Sequence, residues 1–280
     1  MVDVKASLPE FDRPPVGEVA LSVQFSRLTG FQVAHFGLFW ATNRDRFPST
    51  QSHPAIDPVV EQFEGPVSGK PSVRFELAQE LMPPRAWFLS REGDELIQVQ
   101  HDRFVFNWRK TKPSDRYPRY PHVRRRFVDE FQRFERFVGE QGLAPFVPNQ
   151  CEVTYVNQIE SGPGWEHHGD VAKVLALWNP AFEEEGLPPL ENARLALQYV
   201  ITNPESQGAL AGRLHVDFQP GVRRSDGRRV FTMNLTARGA PLGDALEGVV
   251  KFFDLGRAHI VRSFKALTST TMHKEWGIHE

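Results

Sequence analysis

The 280-residue chain carries 33 basic and 35 acidic residues, a formal net charge of -2, and a single cysteine, Cys151. So balanced a charge excludes a global basic field for non-specific nucleic-acid binding, and one cysteine excludes both a disulfide framework and a cysteine-built zinc site. The length suffices for one large or two ordinary domains with a self-sufficient core, and 22 phenylalanines point to a well-filled one.

The N-terminal stretch, residues 1 to 19, lacks the basic start and apolar run of a signal peptide. No stretch approaches the roughly 18 to 20 apolar residues of a membrane span. The expectation is a cytoplasmic protein with no membrane partner. Residues 17–25, GEVALSVQF, set Val19, Leu21, Val23 and Phe25 on one face and Glu18, Ser22 and Gln24 on the other, the period of a half-buried strand. Val33, Phe36, Phe39 and Trp40 then recur at helical spacing, with Pro48 as a stop. DPVVEQFE, PSVRFELA, RAWFLS, ELIQVQ and RFVFNWR read as further short strands of an antiparallel meander. With His101 and Asp102 as turn residues, Gln100 faces Arg103, Val99 faces Phe104 and Ile97 faces Phe106, so apolar meets apolar in the last hairpin. From residue 121, Phe127, Phe131, Phe134 and Val138 form an i, i+4, i+7, i+11 stripe closed by Gly142, the mark of an amphipathic helix.

The second half repeats this order. CEVTYVNQI, from Cys151, matches the first strand at Glu152, Val153 and Gln158, three positions of nine. HGDVAKVLALWNP reads as a helix, ARLALQYVI, GRLHVDF and RVFTMNLTA as strands, and residues 244–269 as a long closing helix with Phe253, Ile260 and Phe264 on its apolar face. The fold class expected is α+β: two repeated β-α-β(n)-α units with antiparallel sheets and a long C-terminal helix in each, helix-grip-like, with the units at 1–148 and 149–280. Two such units would pair as a pseudo-dimer, and self-association into a homo-oligomer is left open.

At HFGLFW, RFVFNWRK, YPRY, NQCEVTYVNQI and the terminal MHKEWG, nearly the whole chain resembles a sporadically distributed bacterial family of unknown function. That resemblance implies no activity, cofactor or catalytic residue. Its patchy occurrence suits cargo of mobile elements or defence islands.

Phosphate-binding, dinucleotide, nucleophile-elbow and zinc-protease motifs are all missing, so no cofactor is expected. Three constellations remain. The first is a polar sheet face of Glu18, Gln24, Gln98, Gln100, Arg103, Asn107 and Arg109, continued by Glu152, Gln158, Arg194, Gln198, Arg213, His215, Asp217 and Asn234. Amide side chains that both donate and accept suit a polar ligand. Gln98, Gln100, Asn107, Arg109, Glu152, Gln158, Gln198 and Asn234 are the candidate ligand-binding residues. An antiparallel sheet with one wet face gives the same pattern.

The second constellation is histidine. His167 and His168 in GWEHHGD, with His273 and His279 near the C-terminus, are candidate metal ligands if the segments meet. His215 and Asp217, at i and i+2 on a strand, share a face where a carboxylate would orient the ring for acid-base work. The third is basic and aromatic: FNWRKTKPSDRYPRYPHVRRR mixes Trp108, Tyr117 and Tyr120 with arginines and lysines and would stack and pair with a single strand. Against it stand i, i+4 acids, such as Asp129 for Arg125 and Glu130 for Arg126. The leading expectation is a non-enzymatic binding protein whose polar sheet-face groove takes a partner protein or small polar ligand. A hydrolase, metal-assisted or not, and a nucleic-acid-associated accessory protein of a mobile-element or defence system are the alternatives.

Overall fold

A computed structural model describes residues 7–63, 84–143, 146–178, 186–206 and 208–279. In chain order the elements are β1 (Glu10–Phe11), β2 (Val16–Phe25), α1 (Val33–Ala41), β3 (Ser49–His53), β4 (Arg85–Leu89), β5 (Glu95–Gln100) and β6 (Arg103–Arg109). After α2 (Tyr120–Glu140) come β7 (Pro148–Glu160), α3 (Val171–Val174), β8 (Leu195–Thr202), β9 (Leu210–Val222) and β10 (Arg229–Gly239). The chain closes with α4 (Ala245–Leu267), α5 (Thr270–Trp276) and β11 (Ile278–His279), the last pairing with β1.

The protein is α+β. Among the described residues, one nine-stranded antiparallel sheet in the order β3-β4-β5-β6-β2-β7-β10-β9-β8 carries the molecule. Every strand pairing among the described residues is antiparallel, so side chains alternate between the two faces along each strand and match across strands. Val19, Leu21 and Val23 of β2 lie beside Trp108, Phe106 and Phe104 of β6 and beside Tyr155, Val153 and Cys151 of β7. All of these are buried. Helices α2 and α4 pack over this face, α2 on β6 and β2, α4 on β7 and β10.

The phenylalanine stripe of α2 lands as its spacing predicts. Phe127, Phe131 and Phe134 are fully buried, Phe134 stacking on Phe104 at 5.2 Å and meeting Phe39 of α1 edge-on at 5.2 Å. Phe253 of α4 meets Phe127 edge-on at 4.9 Å, so the two long helices share one core. Gly256 lets α4 approach the sheet: a Cβ there would stand 2.9 Å from that of Ala237. Beneath α2, Glu130 is fully buried between Arg46 (2.9 Å) and Arg126 (3.2 Å).

Some expectations need correction. DPVVEQFE is no strand over its described residues: residues 54–63 run as irregular chain, with Pro54 and Pro58 unable to donate to a ladder. PSVRFELA lies outside the described residues. The helix read in HGDVAKVLALWNP shrinks to α3, because Leu175 leaves it to bridge Thr268. β3, α5 and the β1–β11 pair have no counterpart in the sequence reading. Among the described residues no helix is long and apolar enough to cross a membrane.

Candidate functional site

The face of the sheet opposite α2 and α4 carries the polar alternates. The sequence suggested a wet face, but much of it is buried: Gln24, Gln98, Gln100, Arg103, Asn107 and Gln150 are each less than a tenth exposed. Residues 56–61 account for part of this, because they lie across the strands as a strap whose backbone is bonded by the sheet.

A single cross-strand row forms the floor: Gln100 pairs with Arg103, Arg103 with Gln24, and Gln24 with Gln150. Gln100 takes both polar groups of one residue, accepting from the Ile56 N–H at 2.8 Å and donating to the Ile56 carbonyl at 2.9 Å. Arg103 donates to the Asp57 carbonyl at 3.0 Å and braces Gln24 at 2.9 Å. Gln24 accepts from the Val59 N–H at 3.1 Å, and Gln150 from the Glu61 N–H at 3.2 Å. A carboxamide suits this role because its oxygen and nitrogen match the complementary groups of a peptide unit. Gln150 Nε2 and Arg103 Nε are buried without a hydrogen-bond partner among the described residues, so the floor offers more donors than the strap uses.

The strap ends in a carboxylate cage. Arg213 donates to Glu61 at 2.8 Å, His215 at 2.6 Å and Arg238 at 3.3 Å, and the Glu61 side chain is only 8% exposed. Burial alone would raise the Glu61 pKa, but the hydrogen bonds from His215 and Arg213 and the charge of Arg238 outweigh it and hold the group at about 2. Arg213 also lies over the Phe63 ring at 4.8 Å. Arg238 bonds Glu152 at 2.6 Å, so that candidate residue orients a cage member.

A second polar cluster sits toward the other end of the first-half strands. Arg85 donates to Gln98 (2.8 Å), Gln98 to Asn107 (2.8 Å), and Asn107 to Glu18. Burial raises the Glu18 pKa, opposed by the Asn107 hydrogen bond and the charge of Arg109. Arg85 and Arg109 both lie over the Trp87 ring, at 5.4 and 5.7 Å, and Arg109 donates to the carbonyl of Gly93, a turn residue at φ +72°. Gln98, Asn107 and Arg109 are therefore brought together here, apart from the strap row of Gln100.

The remaining candidates scatter. Gln158 and Gln198 are exposed, and Gln198 reaches His215 Nδ1 at 3.3 Å. Asn234 lies between β7 and β9 partners with its carbonyl oxygen buried and unbonded among the described residues. His215 and Asp217 do share a face, yet both ring nitrogens of His215 are engaged by Gln198 and Glu61, while Asp217 is exposed. The only thiol, Cys151, is buried on the helix face, away from His215, and burial pushes its pKa up.

The histidines do not converge on a metal. His168 bonds the carbonyls of Gly221 and Val230, His273 the Thr268 hydroxyl and His279 the Asp12 carboxylate, while His167 follows in a turn closed by Asp170. Among the described residues no group of three His, Cys, Asp or Glu is placed to hold an ion. In the basic stretch Trp108 and Tyr120 are buried and Tyr117 packs between Trp108 and Tyr155, which removes the rings from stacking. Part of its charge is also taken up: Arg124 by Asp254, and Arg126 by Glu95 and Glu130.

Sequence reasoning missed Glu61, Gln150 and Arg238 as site residues. Alternation with Glu152 would have placed Gln150 on the polar face, and pairing opposite Arg213 would have placed Arg238 there. Nothing in the sequence places Glu61 over them. Compared with models of known protein families and with curated proteins, the chain matches none.

Proposed function

We propose that this is a non-enzymatic binding protein whose polar sheet face recognises an extended polypeptide bearing an acidic side chain, and that residues 56–61 are its intramolecular occupant. The observation that carries the reading is the row Gln100, Arg103, Gln24 and Gln150 bonding the backbone of residues 56, 57, 59 and 61, beside an Arg213–His215–Arg238 cage. Backbone bonds confer affinity for any extended chain, and the cage selects a carboxylate at one position. Each neutral bond contributes roughly 0.5–1.5 kcal/mol net and each bond to the Glu61 carboxylate roughly 1.5–3 kcal/mol, so a competing chain must bring its own acid to displace the strap.

We also read the fold as two copies of one β-α-β(n)-α unit, helix-grip-like. Supporting this are the strand orders β2-β6-β5-β4 and β7-β10-β9-β8 running outward from the central pair, each followed by a long helix on the same face. Ala20 pairs with Thr154, the residue in the equivalent place of the second copy, as a twofold through the sheet requires. In this reading the strap starts over the first copy and its carboxylate is caged by the second.

The test supplies the strap in trans. Residues 54–63 are replaced by a glycine-serine segment, and a fluorescent peptide of sequence PAIDPVVEQF is titrated by anisotropy. Saturable binding to this variant, absent from the intact protein and at least tenfold weaker when the peptide's Glu is changed to Gln or Gln100 to Ala, is the expected result. Equal behaviour of the two proteins, or indifference to both substitutions, overturns the reading.

A further inference from the structure

On the opposite side of the sheet, a cavity of about 300 Å³ lies between the start of α2, the second half of α4 and the N-terminal segment. Its size is at the lower end of the roughly 300–1,000 Å³ typical of small-molecule sites. We propose that it binds a small apolar carboxylate, with the acid head on Arg257 and the tyrosine hydroxyls and the body against Phe11, Ile260 and Phe264.

Phe11, Val16, Ile260 and Phe264, all buried, form the apolar part of the lining. The polar groups are few and converge. Tyr117 and Tyr155 join their hydroxyls at 2.9 Å inside the lining, and burial, the largest cause, raises both phenols, so they remain neutral donors. Arg257 lies over the Tyr120 ring at 4.9 Å, reaches the Tyr155 hydroxyl, and keeps its Nε buried without a partner among the described residues.

The acid nearest Arg257 on its own helix is already committed. Asp254 accepts from Arg124 at 2.9 and 3.1 Å and from Tyr120 at 2.8 Å. A half-buried guanidinium with no ion pair among the described residues, in a largely apolar cavity, is the arrangement that a carboxylate ligand completes. Arg119 adds a second positive charge to the lining, against Glu10 alone, and stands at the head of α2 with φ 74°, a strained value for a residue with a side chain. It is held there by donation to the Phe11 carbonyl at 2.8 Å, which ties the N-terminal segment across the cavity.

The inference stands apart from the strap and is tested apart from it. 4-Fluorobenzoate and octanoate are titrated into the intact protein, the first followed by ligand fluorine resonance and both by calorimetry, alongside 4-fluorobenzamide as the neutral counterpart. Saturable binding of at least one acid is expected, with the amide at least tenfold weaker than 4-fluorobenzoate where that acid binds. Arg257→Met should weaken the acid at least tenfold, and Val261→Trp, which fills the cavity without altering charge, should abolish binding. The glycine-serine strap variant should bind the acid as the intact protein does. Failure of both acids to saturate, equal affinity for 4-fluorobenzoate and its amide, or an unchanged affinity in Arg257→Met overturns the proposal. A circular dichroism spectrum matching that of the intact protein qualifies each variant for the comparison.

Discussion

Glu61 ties the strap to three successive strands of the sheet: its backbone rests on Gln150 of β7 and its carboxylate on Arg213 and His215 of β9 and Arg238 of β10. Its folded pKa, about 2, lies below the ordinary carboxylate value of 4.5. A depressed acid stabilises the folded state fully above the unfolded pKa and loses that contribution as pH falls through the folded one. The difference in unfolding midpoint between the intact protein and Glu61→Gln should therefore be constant above about pH 5 and shrink towards pH 2. Equilibrium denaturation at a series of pH values measures it. The cage should also shield this residue from a glutamate-specific protease, and Arg213→Ala combined with Arg238→Ala should speed cleavage after Glu61, read by mass spectrometry.

Among the elements, α2 shows what periodicity reveals and what it hides. Its stripe of Phe127, Phe131, Phe134 and Val138 was legible because a helix that buries one face must repeat apolar residues every three or four positions. Phe134→Ala should cost about 3–5 kcal/mol in denaturant unfolding, since the ring is fully buried against Phe39 and Phe104. Val33→Ala, at a position 61% exposed, should change stability by less than about 0.5 kcal/mol. The β5–β6 hairpin was equally legible, register included, because one residue of slip would have put Ile97 and Phe106 on the wrong face. Residues 57–63 were misread as a strand because Val59 and Val60 favour extended chain. The backbone there bonds side chains of the sheet floor in place of a neighbouring strand.

At the scale of the whole molecule, alternation sorted the two sheet faces correctly, and the polar face found from residue spacing is where the strap lies. Its burial was not legible. Whether Gln100 or Gln24 meets water depends on a segment far off in sequence, and a loop that bonds through backbone groups leaves no pattern in its own side chains. The His215–Asp217 pairing failed for a related reason, since Glu61 arrives from the distant strap as the nearer acid. The cavity under α4 was invisible to periodicity because it is built where four separate segments converge.

The central claim is that sheet glutamines hold the backbone of residues 56–61, and residue-resolved amide hydrogen exchange by NMR tests it most directly. The amides of Ile56, Val59 and Glu61 should exchange slowly relative to those of Val60 and Gln62, and Gln100→Ala should accelerate Ile56 ahead of the other two. Exchange of Ile56, Val59 and Glu61 at the rate of an unstructured chain would contradict the account.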